Sequence, residues 1–126
     1  MEFDSRIPIY IQIIERIQRD IILGKLAIGD KLPSVRVMAS ECKVNVNTMQ
    51  RVYQELEREG IIFSVRGKGS FITESEEMIS IIKHKMALDM TRSFVRGMQE
   101  IGYTQPQIIE YMKEYMEGNQ DGDHES

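Results

Sequence analysis

The stretch VNVNTMQRVYQELEREG, residues 44–60, decides the fold. Its apolar side chains recur at i, i+3, i+4 and i+7, which is the spacing of one helix face. They are Met49, Val52, Tyr53 and Leu56. Polar residues lie outside this stripe, namely Asn47, Thr48, Gln50, Arg51 and Gln54. With Asn45 as an N-cap and Gly60 as a stop, the stretch predicts an amphipathic helix with a polar outer face.

A shorter helix precedes this one, after a very tight connection around residues 43–44. Pro33-Ser34 opens the shorter helix, because both residues are common at helix starts. Its buried stripe is predicted to consist of Val35, Met38, Ala39 and Cys42. Two helices joined this closely, the second with a polar outer face, are typical of a helix-turn-helix.

The sequence on either side of these two helices completes a domain. A helix is predicted between Pro8 and Gly24. Its apolar residues at helical spacing are Tyr10, Ile14, Ile17 and Ile21. After Gly60, two β-branched and aromatic runs, residues 61–65 and 70–73, flank a glycine-containing turn and predict a β-hairpin. Residues 1–73 are therefore predicted to form a winged helix-turn-helix domain.

The rest of the chain predicts two helices, within residues 74–117, and an acidic flexible tail over residues 118–126. The second helix begins with a capping box formed by Thr104 and Gln107. The apolar face of the first of these helices is too broad for one small neighbour to cover. The predicted dimerisation residues are Ile82, Met86, Met90, Phe94, Met98, Ile108 and Met112. The predicted fold class is mainly α, a winged helix-turn-helix domain followed by a two-helix C-terminal dimerisation region.

The composition of the 126-residue chain excludes several classes of protein. No run approaches the roughly 20 apolar residues that span a bilayer, and the first residues do not resemble a secretory signal. One cysteine and two histidines cannot build an internal disulfide, a Cys-rich zinc site or a histidine cluster. No set of nucleophile, base and acid stands out. We therefore expect a cytoplasmic protein that is not an enzyme and has no cofactor, no metal site and no membrane partner.

Charge alone does not reveal the partner of the N-terminal domain. Residues 1–73 carry a net charge of +2 and residues 74–126 a net charge of −6. A nucleic-acid-binding domain is usually much more basic than +2. The positions of the charged side chains must therefore carry any argument for DNA.

Three elements place cations or amides where a DNA duplex can be bound. Asn and Gln on the outer face of the 44–60 helix can pair with adenine, and Arg with guanine. The start of the preceding helix offers free backbone N–H groups beside Ser34 and Arg36, which suits a phosphate. The hairpin tip adds Arg66 and Lys68, which lie next to Gly67 and Gly69. The combination predicts binding to a double-stranded DNA operator.

These motifs strongly resemble the GntR family of bacterial transcription regulators over about residues 6–73. The matching motifs include PSVR at 33–36, the 44–60 stretch and RGKGSFI at 66–72. By this resemblance, the DNA-binding residues are Ser34, Arg36, Asn45, Asn47, Thr48, Gln50, Arg51, Arg66, Gly67, Lys68 and Gly69. Val46 departs from the pattern, because subfamily members often have proline there, and the resemblance therefore does not define the bases read.

The two-helix C-terminal region looks like that of the YtrA subfamily, whose members use it to dimerise. The resemblance implies a homodimeric repressor of a nearby operon, commonly one that encodes an ABC transporter, and leaves any small-molecule effector unknown. The alternative is a winged-helix module that binds proteins and not DNA. Arg36, Arg66 and Lys68 distinguish the two, because phosphate contacts by these residues make binding steeply salt-dependent.

Overall fold

The computed structural model describes residues 2–119, and its elements follow the predicted order. They are α1 Ile9–Ile22, α2 Val35–Cys42, α3 Val46–Arg58, β1 Ile62–Val65, β2 Gly69–Ile72, α4 Glu76–Glu100 and α5 Gln105–Asn119. The predicted fold class, mainly α with a winged helix-turn-helix followed by two helices, is confirmed. Gly118 and Asn119 from the predicted tail are the last residues of α5. The rest of that tail, residues 120–126, lies outside the described residues.

Side-chain caps and one left-handed residue form the turn between α2 and α3. The hydroxyl of Ser34 accepts a hydrogen bond from the Val37 N–H at 3.2 Å, which caps α2. The Asn45 side-chain oxygen accepts one from the Asn47 N–H at 2.6 Å, which caps α3. Between them Lys43 has a φ of 59°, a conformation that few non-glycine residues adopt. This left-handed residue ends α2 and turns the chain sharply into α3.

The three N-terminal helices bury one apolar core. The predicted stripe of α3 is confirmed, since all four of its apolar residues are buried. In α2 only Ala39 is fully buried, and the other three stripe residues are half-buried. In α1 the buried series is Ile13, Ile17 and Ile21. The predicted apolar series was therefore wrong at Ile14, which is half-buried. Positions 13 and 14 both carry isoleucine, and it is the i, i+4, i+8 series starting at Ile13 that lies in the core.

The wing is a β-hairpin that a third segment supports. β1 pairs antiparallel with β2, with Ile62 opposite Ile72 and Val65 opposite Gly69. Gly67 and Gly69 have φ values of 79° and 113°, so the tip uses the backbone freedom that glycine provides. Ahead of α2, Lys31 forms an antiparallel bridge with Phe71 on the other edge of β2. This bridge, which the sequence did not predict, fixes the segment before α2 against the wing.

By its contacts the chain divides into two compact units, Met1–His84 and Lys85–Ser126. The division falls inside α4, which continues across it. Ile82 is buried and belongs to the first unit. In the second unit, Gly102 has a φ of 101° just after α4 ends. The predicted capping box of α5 is confirmed, because the Thr104 N–H donates to Gln107 Oε1 at 2.9 Å and the Gln107 N–H to Thr104 Oγ1 at 3.4 Å.

Candidate nucleic-acid interface

The outer face of α3 presents two amide side chains side by side. Asn47 and Gln50 are exposed and three residues apart, so they lie on the same side of the helix. Within the described part of the chain, no hydrogen bond engages either amide. Gln54 is exposed one turn further along, whereas Thr48 is half-buried. The Asn45 side-chain oxygen is occupied by the cap of α3. The face therefore offers unoccupied donors and acceptors of the kind that pair with adenine.

Arg51 on the same helix is held against α1. Its guanidinium carbon lies 3.7 Å from the centroid of the Tyr10 ring, and its Nη2 donates to the Tyr10 hydroxyl at 3.0 Å. A cation over an aromatic face is attracted by the negative face of the ring. Tyr10 was not among the predicted site residues. The contact joins residues that are 41 positions apart, so no local pattern in the sequence indicates it.

The start of α2 offers backbone donors and an exposed cation. No acceptor binds the N–H groups of Val35 and Arg36 among residues 2–119, as is usual for the first turn of a helix. The Arg36 side chain is exposed. The Tyr53 hydroxyl donates to the Pro33 carbonyl at 2.6 Å, which ties this helix start to α3. Burial raises the pKa of Tyr53 to about 12, so this donor keeps its proton at neutral pH.

The wing tip carries cations without acidic partners. Arg66 and Lys68 are exposed, as are Gly67 and Gly69. The salt bridges of the described residues join Arg6 to Asp4, Arg16 to Asp20 and Arg58 to Glu55. The cations of the wing and of the α2 start take no part in them. Their charge is therefore available to an external anion.

A groove of ≈ 700 Å³ lies between the wing and the start of α2. Its lining residues are Lys31, Leu32, Pro33, Ser34, Val35, Tyr53, Lys68, Gly69 and Ser70. The structure therefore brings together Ser34, Lys68 and Gly69, which were predicted from separate motifs. Lys31 was missed, because its place in the groove comes from pairing with β2 and not from the residues next to it.

The predicted dimerisation residues fall into three groups by exposure. Met90 and Phe94 are 54% and 41% exposed. Three methionines, Met86, Met98 and Met112, are half-buried, whereas Ile82 and Ile108 are buried within one chain. In the second unit, Phe94 and Met98 line an apolar groove of ≈ 610 Å³ together with residues of α5. Other large apolar residues of α4 and α5 and of the turn between them are exposed as well, including Ile101, Tyr115 and Met116.

Residues 2–119 do not meet the requirements of a metal site, a reactive cysteine or a membrane-spanning helix. No group of three or more His, Cys, Asp or Glu side chains in residues 2–119 is arranged to hold a metal ion. Cys42 is half-buried at the end of α2, and desolvation, followed by the charge of Glu41, raises the pKa of its thiol. A thiol with a raised pKa is a poor nucleophile at neutral pH. Within the same range, no helix combines the length and apolar content needed to cross a membrane.

A polar recognition helix, a capped helix start and a cationic wing define a winged helix-turn-helix DNA-binding protein. The family model described as "Bacterial regulatory proteins, gntR family" matches residues 9–72. The chain therefore belongs to the GntR family of bacterial transcription regulators.

Two relatives from Bacillus subtilis match almost the whole chain. The uncharacterized HTH-type transcriptional regulator YhcF is 44% identical, over 93% of this chain and 97% of its own length. The HTH-type transcriptional repressor YtrA is 36% identical, over 87% of this chain and 85% of its own length. The similarity therefore extends beyond the DNA-binding domain into the C-terminal helices.

Solved structures agree with these relatives. A GntR family transcriptional regulator from Listeria monocytogenes superposes with a TM-score of 0.80 at 39% identity, covering 89% of this chain and 98% of its own. The DNA-binding domain of AraR, solved in complex with operator ORR3, superposes with a TM-score of 0.51 at 26% identity, covering 58% of this chain and 88% of its own. The protein is a GntR-family DNA-binding transcription regulator and not an enzyme.

Proposed function

We propose that this regulator is a homodimeric repressor that binds an operator of two half-sites and controls a nearby operon. The observation that carries the proposal is the apolar surface that one chain leaves exposed on α4 and α5. The resemblance to the YtrA subfamily supports an operon for an ABC-class transporter as the target. Such a repressor acts in the cytoplasm, where the bacterial chromosome lies.

The exposed apolar surface is best covered by a second copy of the chain. Met90 and Phe94 lie one helical turn apart on α4, and α5 adds Tyr115 and Met116, which are 70% and 63% exposed. Monomeric proteins rarely expose large contiguous apolar patches. The commonest way to bury such a patch in a soluble oligomer is a two-fold interface in which each chain offers the same surface.

A two-fold dimer presents two copies of α3 to DNA. In helix-turn-helix dimers the half-sites lie about one helical turn of DNA apart, or a multiple of it. We assign the base contacts to Asn47 and Gln50, whose amides are unoccupied. Arg51 contributes a guanidinium oriented by Tyr10, and Asn45 and Thr48 contact the DNA backbone near the start of α3. The phosphate contacts of the helix start and the wing are assigned to Ser34, Arg36, Arg66, Gly67, Lys68 and Gly69.

Repression is supported by similarity to YtrA, which is named as a repressor and matches most of both chains. A dimer bound across a promoter prevents polymerase from using it. Footprinting on the promoter upstream of the regulator's own gene tests this assignment. We expect protection of a two-fold symmetric site that overlaps the promoter. Protection upstream of the promoter, with increased transcription in vitro, would contradict repression.

The dimer is tested by sedimentation of the wild type and of Met90→Glu. We expect a wild-type dimer at micromolar concentration, and monomers for the variant, because a carboxylate cannot be buried unpaired in an apolar interface. The monomeric variant should bind operator weakly. Arg92→Glu is a matched control, since Arg92 lies about 200° around the helix from Met90. A wild-type monomer, or equal dissociation of both variants, would contradict the proposed interface.

A further inference from the structure

Lys31 lies beside β2 of the wing. It bridges Phe71 of β2, and the neighbouring Leu32 N–H donates to the Ser70 carbonyl at 2.8 Å. A Cβ atom placed on Gly69 would lie 3.0 Å from Lys31 Cε and 3.8 Å from its Nζ. The lysine side chain therefore crosses Gly69 closely, and the absence of a side chain at Gly69 makes room for it. The β-bridge to Phe71, the hydrogen bond of Leu32 to Ser70 and this close crossing restrict where the ammonium group can lie.

The charge of Lys31 has no acidic neighbour in the groove. Within the described range, no salt bridge involves Lys31 or Lys68, and no carboxylate is among the lining residues. The adjacent carboxylate, that of Asp30, accepts a hydrogen bond from the Ala27 N–H. Two ammonium groups thus line one groove that also contains the helix cap Ser34. The two positive charges repel each other, and an anion bound in the groove would offset this repulsion.

We propose that Lys31 is a phosphate-binding residue, and that the groove between the wing and the start of α2 holds the operator backbone, with Lys31 and Lys68 each neutralising a phosphodiester of its own. Lys31 and Lys68 supply the charge on the wing side, and the free N–H groups of Val35 and Arg36 supply donors on the helix side. A lysine ammonium suits this task, because it is a compact point charge with three donors. The inference rests on DNA binding by this domain and adds a contact that none of the recognised motifs contains.

The test is the salt dependence of operator binding for Lys31→Met, which keeps most of the aliphatic chain over Gly69 and removes the charge. Each neutralised phosphate contributes about 0.9 to the slope of log K against log salt, so a dimer should lose about 1.8. If the substitution weakens binding only electrostatically, the variant and the wild type bind the operator equally at 1 M salt. At 0.15 M salt the variant should then bind about 30-fold more weakly than the wild type. Lys31→Arg, which keeps the charge, should retain the wild-type slope.

Lys25→Met is the matched control, because Lys25 is an exposed lysine of the same domain that does not line the groove. Its slope should equal that of the wild type. An unchanged slope for Lys31→Met, with normal wild-type binding, overturns the role of Lys31. A wild-type protein without salt-dependent operator binding overturns the DNA function itself. If Lys31→Met reduces the slope by only about 0.9, the result supports phosphate binding by Lys31 but contradicts the proposed dimer, because only one copy of the groove then contacts DNA.

Discussion

The contact between Tyr10 and Arg51 predicts an energetic coupling between α1 and α3. The perturbation is a double-mutant cycle with Tyr10→Ala and Arg51→Met. Methionine retains an unbranched chain with a helix propensity close to that of arginine, so the helix itself changes little. The cycle therefore isolates the interaction between the two side chains from their separate effects on stability.

The expected magnitude follows from the geometry. The cation lies 3.7 Å from the ring centroid on the protein surface, where such contacts contribute about 0.5–1 kcal/mol. The hydrogen bond of 3.0 Å to the Tyr10 hydroxyl adds a further stabilisation of about 0.5–1 kcal/mol at an exposed position. The coupling energy should therefore be about 1–2 kcal/mol. Repeating the cycle with Tyr10→Phe, which keeps the ring, should recover only the hydrogen-bond part.

The assay is urea unfolding of the four proteins, followed by circular dichroism at one fixed protein concentration. A fixed concentration is needed because self-association adds to apparent stability. Sites that do not interact give coupling energies within about 0.3–0.5 kcal/mol of zero. A value in that range would show that the side chains act independently, and would refute the claim that Tyr10 orients Arg51. Equal coupling for Tyr10→Ala and Tyr10→Phe would instead assign the interaction to the hydroxyl alone.

Two further predictions concern the DNA contacts themselves. Lys68→Ala should leave the melting temperature nearly unchanged and weaken binding to all duplexes. The slope of log K against log salt should fall in magnitude by about two for a dimer. An unchanged slope would show that the wing does not contact DNA. Asn47→Ala and Gln50→Ala should each cost about 1–3 kcal/mol in operator affinity and relax base preference at one position of each half-site, measured by competition with base-substituted operators. If both variants discriminate operator from random DNA as the wild type does, the outer face of α3 does not read the bases.

The elements of this fold were predictable because their signals are local. The apolar spacing of α3, the caps Ser34 and Asn45, and the capping box at Thr104 each involve residues within a few positions of one another. A helix face or a cap depends mainly on such neighbours, so sequence pattern identifies it directly. Most of the candidate site followed from the same signals, since α3, the α2 start and the wing each carry a recognisable motif.

The contacts that the sequence did not indicate join distant residues. Tyr10 and Arg51 are 41 positions apart, and Lys31 meets Phe71 through a bridge between separate segments. Neither pairing follows from periodicity, because periodicity describes one element at a time. The error in α1 has the same origin: Ile13 and Ile14 are equally apolar, and only the packing of the folded domain decides which of them is buried.

The apolar face of α4 shows how this limit affects a functional prediction. Ile82 and Met90 are eight positions apart on one helix face, yet Ile82 is 5% exposed and Met90 is 54% exposed. Helical spacing identifies residues that share a face, but it does not identify what covers each part of that face. α4 begins in the first unit and continues into the second, so the neighbours of its residues change along its length. Ile82→Glu would therefore place a charge in the first unit's core and destabilise the DNA-binding domain. Met90 is exposed in one chain, so its substitution should disrupt the dimer without unfolding the monomer.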